Sequence, residues 1–378
     1  MNKLINRTVR YCSCALALLV AGCSQSEDTD TTGMEDYGGV TLSFYASSGL
    51  AISTRTELGG SEDVQHVQDV QLYIFDKSGV CVASEDVKWK EYFESLGGLP
   101  ANTADMTYKV KYKGFAVGDA YTFLAVGRDV ESSPTYGFPD AITVGNDLAN
   151  VKATLKAADW KEMHQSELFS GKTILTYNEP GMKGQIDLYR RVAGVMGWFI
   201  NLPPTVNGIT LTSIRITLYK KQNKSVPLLP LAVKPVFKDY IDDEVALDGG
   251  EVLVEIPVTA ADITSDMVFS KGSYVLPVPA PPAISDDDYT LRVELVGGGN
   301  VLRYKRVKLG DGDVLDPSTG SGTGIIDTQG PYRFPIIANQ FYGVGTVANP
   351  IDMGGKEPDI VTTLDPKWEN VEDTLPLE

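Results

Sequence analysis

From Val40 onward, hydrophobic residues recur at every second position over much of the chain. That is the period of β-strands with one buried face. Val40-Thr41-Leu42-Ser43-Phe44-Tyr45-Ala46 places Leu42 and Phe44 on one side. Val67 to Phe75 is the next such run. It ends in Asp76-Lys77-Ser78-Gly79, a turn composition that returns the chain through Val80-Cys81-Val82. Tyr121 to Val126, Ile209 to Leu218 and Glu251 to Val258 repeat the pattern. Ile186, Leu188, Arg190, Val192, Gly194, Met196, Trp198, Ile200 and Leu202 share one face of a long segment that Pro203-Pro204 stops. Tyr289, Leu291, Val293 and Leu295 alternate into Gly297-Gly298-Gly299-Asn300 and return from Val301 to Lys308, the clearest hairpin in the chain. One stretch departs from this period. Leu148, Val151, Leu155 and Ala158 fall at helical spacing, which predicts a helix over Asp147 to Met163 with Asp147 as its cap.

Short strands separated by turn residues predict an all-β protein of two sandwiches with one or two short helices. Asn178-Glu179-Pro180-Gly181 marks the break between them, giving an N-terminal sandwich over 56–180 and a C-terminal one over 181–378. Pro277, Pro279, Pro281 and Pro282 read as an extended connector, and Gly310 to Gly324 as a polar loop.

Ahead of the first strand the pattern changes. Lys3, Arg7 and Arg10 precede an apolar run from Cys14 to Val20, then Ala21-Gly22-Cys23. A charged start, a short apolar core and small residues make an export signal, too short to span a bilayer stably. Ala21-Gly22-Cys23 resembles the lipobox of bacterial lipoproteins. The resemblance implies removal of residues 1–22 and attachment of a diacylglyceryl group to the Cys23 thiol, a tether of lipid rather than helix. Residues Ser24 to Gly39 are polar and acidic, as suits a flexible spacer.

Charge and cysteine count narrow the picture. The full chain has a net charge of −17, and without residues 1–22 it carries 30 basic against 50 acidic side chains. Such a balance argues against nucleic acid, where neutralised phosphates supply affinity, and against electrostatic attachment to anionic lipid. After processing only Cys23 and Cys81 remain, and with Cys23 acylated no intrachain disulfide forms. Cys81 then packs as a small apolar strand residue.

A search for catalytic chemistry returns little. His66 and His164 are the two histidines, too few for a multi-histidine metal site, and no G-x-S-x-G occurs. Gly343 to Ala348 matches G-x-G-x-x-A, but Pro350 follows where a helix must begin, so the match is fortuitous. Asp311-Gly312-Asp313 with Asp316 has two readings, a calcium loop without the spacing of an EF-hand or a solvated turn. Asp286-Asp287-Asp288 reads as a solvated loop. Trp89, Trp160, Trp198 and Trp368 are scattered rather than grouped as a sugar-stacking platform. The expectation is a protein that is not an enzyme and needs no cofactor or metal.

Several segments in order resemble the fimbrillins, subunits of the type V pili of Bacteroides-like bacteria. They are the lipobox, Ser53-Thr54-Arg55-Thr56 after a first strand, and Val70-Gln71-Leu72-Tyr73-Ile74-Phe75-Asp76-Lys77-Ser78-Gly79. Tyr121-Thr122-Phe123-Leu124-Ala125-Val126-Gly127 and Leu188-Tyr189-Arg190-Arg191-Val192-Ala193 follow, then Asn339-Gln340-Phe341-Tyr342 and Asp365-Pro366-Lys367-Trp368. The resemblance covers nearly the whole mature chain and implies transthyretin-like, Greek-key sandwiches. It also implies a route to assembly. A lipoprotein precursor reaches the cell outer membrane, an Arg-specific protease cuts after Arg55 so that Thr56 starts the mature chain, and the propeptide 23–55 leaves with the strand Val40 to Ala46. A C-terminal strand of a neighbouring pilus subunit then fills the emptied groove, building a fimbrium that supports adhesion to a host or bacterial surface receptor.

The donor would be Ile360-Val361-Thr362-Thr363-Leu364, which is β-branched and alternating. Its other reading is an ordinary last strand in its own sheet. Arg55 likewise has two readings, a cut site or an exposed loop arginine in an uncut anchor or tip subunit. Arg190, an arginine on an apolar face, snorkels at a rim or pairs with an acid. A surface lipoprotein that binds glycans is the reading from a different class.

Overall fold

A computed structural model describes residues 39–47, 67–98, 103–128, 136–137, 142–148, 151–155, 167–178, 181–218, 221–223, 225–228, 244–246, 251–263, 267–281, 288–310, 330–338, 340–355 and 360–365. The first half of the fold contains β1 (Thr41–Ser47), β2 (Asp69–Phe75), β3 (Cys81–Asp86), α1 (Trp89–Ser95), β4 (Thr103–Lys109), β5 (Ala120–Arg128), β6 (Tyr136–Gly137), β7 (Lys152–Leu155), β8 (Leu168–Thr176), β9 (Lys183–Asp187) and β10 (Tyr189–Arg190). A three-stranded sheet in the order β4-β1-β9 faces a five-stranded sheet in the order β10-β8-β5-β2-β3. Alternation along β1 sends Leu42, Phe44 and Ala46 inward, where they meet Leu72 and Ile74 of β2, Phe123 of β5 and Ile186 of β9.

The second half adds β11 (Ala193–Ile200), β12 (Thr205–Val206), β13 (Ile209–Thr210), β14 (Ser213–Leu218), β15 (Lys221–Asn223), β16 (Ser225–Pro227), β17 (Glu244–Ala246), β18 (Glu251–Pro257), β19 (Phe269–Val275), β20 (Leu291–Gly297), β21 (Asn300–Leu309), β22 (Phe341–Val344), β23 (Ile351–Asp352) and β24 (Ile360–Asp365). Its main sheet runs β18-β14-β20-β21-β24-β22-β11-β19, with β23 beside β11. The sheet folds back so that its edge strands β18 and β19 lie near one another, and Lys271 Nζ donates to the Glu255 carbonyl at 3.1 Å. Ile214, Ile216, Val293, Val195, Phe199, Val275 and Tyr342 fill the space between its layers.

The predicted β20–β21 hairpin is present. Gly297 pairs with Asn300, leaving Gly298 and Gly299 as a two-residue loop with φ of 56° and 79°. Positive φ at both positions is the geometry that matches strand twist and that glycine adopts without strain. The turn after β2 is present too. The Asp76 carboxylate accepts from the Ser78 amide at 2.9 Å and the Val80 amide at 3.0 Å, while Gly79 takes a φ of 82°. Cys81 is a free, buried thiol among apolar neighbours, as expected.

Three expectations are corrected. The helix predicted over Asp147 to Met163 does not form in its described part. Asp147 bridges to Val80, and Lys152–Leu155 is a strand between β16 and β6. Val151 and Ala153 point inward while Thr154 faces solvent, so period two prevails there. The described helix is α1, whose Trp89 and Phe93 seat one turn apart on the first core with ring centroids 4.9 Å apart. The long alternating run from Ile186 to Leu202 is three strands, and β11 is buried on both faces because it lies inside a folded sheet. Finally, β9 and β10 pair with strands of the first half, so the passage between sheet systems falls after Arg190 rather than at Pro180.

Two cores result, and they share a wall. One face of the five-stranded sheet supplies Leu72, Ile74 and Phe123 to the first core, while Tyr73, Phe75, Leu124 and Val126 on its other face join the second. With both faces of that sheet buried, the described residues belong to one compact unit.

Candidate functional site

The resemblance to the fimbrillins makes β1 the strand of interest, and the fold gives it a particular seat. It is the middle strand of its sheet, antiparallel to β4 from Thr41 opposite Lys109 to Ser47 opposite Thr103, and parallel to β9 from Thr41 opposite Lys183. Both ends are stitched in. Gly181 donates to the Gly39 carbonyl at 2.9 Å, Val110 to Val40 at 2.9 Å, and Leu188 to Tyr45 at 2.8 Å. Val40, Leu42, Phe44 and Ala46 are buried, and the Phe44 ring lies 6.2 Å from that of Tyr108.

Removing such a strand leaves a slot with two unpaired edges and an apolar floor. Burial of a Val, Leu or Phe side chain is worth about 1.5–3 kcal/mol, so three of them approach the whole stability of a typical domain, about 5–15 kcal/mol. An empty slot is therefore a strong receptor for another extended segment with apolar side chains at alternate positions. β1 is also the first described strand, joined to β2 through residues 48–66, in which Arg55 is the one Lys or Arg.

The other proposed element occupies an inner position of the second sheet. β24 runs parallel to β21, with Val307 opposite Ile360, and antiparallel to β22, with Tyr342 opposite Leu364. Ile360 and Thr362 are buried, Thr362 Oγ1 donates to the Gly343 carbonyl at 2.9 Å, and Gly310 donates to the Thr362 carbonyl at 3.3 Å. The segment Ile360 to Leu364 thus serves as the last strand of its own sheet in this conformation.

Cys23, Arg55 and Thr56 lie outside the described residues, as do Asp311, Asp313, Asp316, His66 and His164. Among the described residues there is no group of three metal-ligating side chains and no helix long and apolar enough to cross a membrane. Gly343 to Ala348 leaves β22 through a loop and returns as β23, without a helix.

Some residues that shape the site were not singled out by sequence reasoning. Glu85 on β3 reaches across to β4, accepting from Tyr108 Oη at 2.9 Å, the Lys111 amide at 2.9 Å and the Tyr112 amide at 2.7 Å. Its signal was an acid at an inward position, opposite Leu72. Glu167 is the partner of Arg190, and Gly171 lets β9 approach β8; a Cβ there would lie 1.9 Å from the Asp187 carbonyl oxygen.

Comparison with known proteins identifies the family. The family model described as fimbrillin-A associated anchor proteins Mfa1 and Mfa2 matches residues 27–337. Among solved structures, the tip fimbrial protein Mfa3 of Porphyromonas gingivalis, with C-terminal truncation, is 13% identical, covering 86% of this chain and 98% of its own, with a TM-score of 0.42. The fimbrial anchor protein Mfa2 of the same organism is also 13% identical, with 87% and 97% covered and a TM-score of 0.39. A fimbrial assembly protein of Parabacteroides distasonis is 12% identical, with 86% and 98% covered and a TM-score of 0.37. No curated protein sequence matches the chain.

Proposed function

The chain belongs to the family of fimbrillin-A associated anchor proteins, and from that premise we propose that it is a structural subunit of a type V pilus assembled by strand exchange. The precursor is a lipoprotein carried to the outer membrane on Cys23. An Arg-specific protease cuts after Arg55, β1 leaves, and the C-terminal strand of another pilus subunit takes its place. The single observation that supports this reading is the seat of β1. It is an inner strand with a full apolar row, yet it precedes every other described strand and is joined to the rest only through the segment bearing Arg55.

A second reading has its own observation. β24, the proposed donor, is hydrogen-bonded on both sides within its own sheet. A subunit that keeps both β1 and β24 at home is complete in itself. That describes an uncut anchor or tip at one end of a fibre. Surface extracts treated with an Arg-specific protease and resolved under mild denaturation separate the readings. A polymerising subunit gives a ladder of stable multimers, an anchor gives a single lipidated band associated with fibres, and a glycan-binding lipoprotein gives a band unconnected with fibres.

A further inference from the structure

Among the described residues, β4 and β9 each have one strand partner, and for both it is β1. Excision of β1 would take every ladder bond from both walls of the slot. Each wall nevertheless has a second attachment, made to the opposite sheet and independent of β1. On the β4 side, Glu85 gathers the Tyr108 hydroxyl and the Lys111 and Tyr112 amides at the point where β4 ends. Tyr108 would lose its neighbour Phe44 with β1 but would keep Glu85. On the β9 side, the absence of a side chain at Gly171 lets β8 lie directly against Asp187 and Ile186.

We infer that Glu85 and Gly171 are positioning residues that hold the two walls of the slot in place while β1 is absent, so that the slot is preformed for an incoming strand. This rests on the strand-removal reading above and adds to it the residues that keep the receptor open. A carboxylate serves on the β4 side because hydrogen bonds to a charged acceptor are roughly twice as strong as neutral ones. A glycine serves on the β9 side because even a methyl group would collide with the Asp187 carbonyl. A wall held in advance does not have to be ordered by the ligand, so the entropy of ordering it is not lost at each binding event.

The test uses the full chain cut by an Arg-specific protease and a fluorescent synthetic peptide with the sequence of residues 39–47. Wild-type protein should exchange its own β1 for the peptide. Glu85→Gln should bind the peptide about tenfold more weakly, and it should lower the melting temperature less in the uncut chain, where the β1 ladder also holds the wall, than in the cut chain freed of β1. Tyr108→Phe, which removes one donor and keeps the ring, gives a smaller loss in the same direction and serves if Glu85→Gln does not fold. Equal peptide affinity in wild type and variants overturns the wall assignment alone. No exchange even in wild type overturns the strand-removal reading and this inference together.

Discussion

Arg190 and Glu167 form a buried ion pair at the joint between the two sheet systems, with Arg190 Nε donating to Glu167 Oε1 at 2.7 Å and both side chains withdrawn from water. The guanidinium also lies over the Phe169 ring, 5.3 Å from its centroid. The neighbouring residues place the pair at the crossing between the two cores. Leu188 packs in the first core and Val192 in the second, so the chain crosses from one to the other across these few residues. Arg191 is held differently, donating from Nε to the Ser170 hydroxyl and from Nη2 to the Leu228 carbonyl at 3.3 Å. An arginine on an otherwise apolar face thus pairs with an acid.

Breaking this pair from one side should be costly, because the remaining charge stays buried. Glu167→Gln and Arg190→Met should each lower stability by roughly 3–5 kcal/mol, and the double variant should cost much less than both together. Urea denaturation of the four proteins reads the coupling. Additive losses would show that the two side chains act separately.

How much of this was legible beforehand differs by scale. Period two marked β2, β5, β14 and the β20–β21 hairpin because each carries a run long enough for alternation to show. It failed at Lys152–Leu155, where Leu148, Val151 and Leu155 satisfy a helical period while Val151, Ala153 and Leu155 satisfy an extended one, and pairing with β16 decides between them. Along β11 it marked the strand but suggested one buried face, whereas the residues between, Val195 and Phe199, are buried as well because the strand is covered on both sides. The slot's floor was legible in Leu42 and Phe44. Its walls were not, since Glu85 and Gly171 act across sheets and their partners are 23 to 27 and 16 residues away.

A buried carboxyl makes stability depend on pH. Glu251, at the start of β18 beside Leu218, has a buried Oε2 with no hydrogen-bond partner, and burial pushes its pKa from 4.5 up to about 8. The folded state then holds this proton more tightly than the unfolded chain does. Its contribution is fully favourable below about pH 4.5 and is lost as pH rises toward about 8. Glu251→Gln, which cannot ionise, should therefore melt higher than wild type at pH 8, and the gap should close by pH 5. A gap independent of pH would show that the carboxyl does not titrate between these values.

The proposed lipid attachment at Cys23 rests on Ala21-Gly22 before it and the apolar run behind them. Cells fed labelled palmitate should incorporate label into the wild type and none into Cys23→Ala. Equal labelling of both would move the anchor elsewhere.

The proposed maturation at Arg55 rests on its place in the segment between β1 and β2. Surface fibres should yield an N-terminal sequence beginning at Thr56, and Arg55→Ala should leave lipidated monomers at the membrane. Fibres whose subunits begin at Cys23 would instead assign the chain to the uncut anchor or tip role.

The proposed donor role would give β24 a choice between two sheets, and its residues allow the choice to be measured. In its own sheet β24 fills the gap between β21 and β22, with Ile360 and Thr362 buried. Leaving that gap to enter another subunit exposes its edges, so departure requires a better-matched slot elsewhere. Removing residues 360–378 should therefore do two things. It should lower the melting temperature of the single subunit, because β21 and β22 lose their shared neighbour, and it should abolish fibres. A synthetic peptide of residues 358–368 should restore the melting temperature without restoring fibres, since it fills the gap but joins no two chains. Thr362→Asp should weaken the subunit by itself, because it places a charge where a hydroxyl now donates to Gly343. Normal fibres from the shortened chain would take the donor role away from this strand, and an unchanged melting temperature would take away its role in its own sheet.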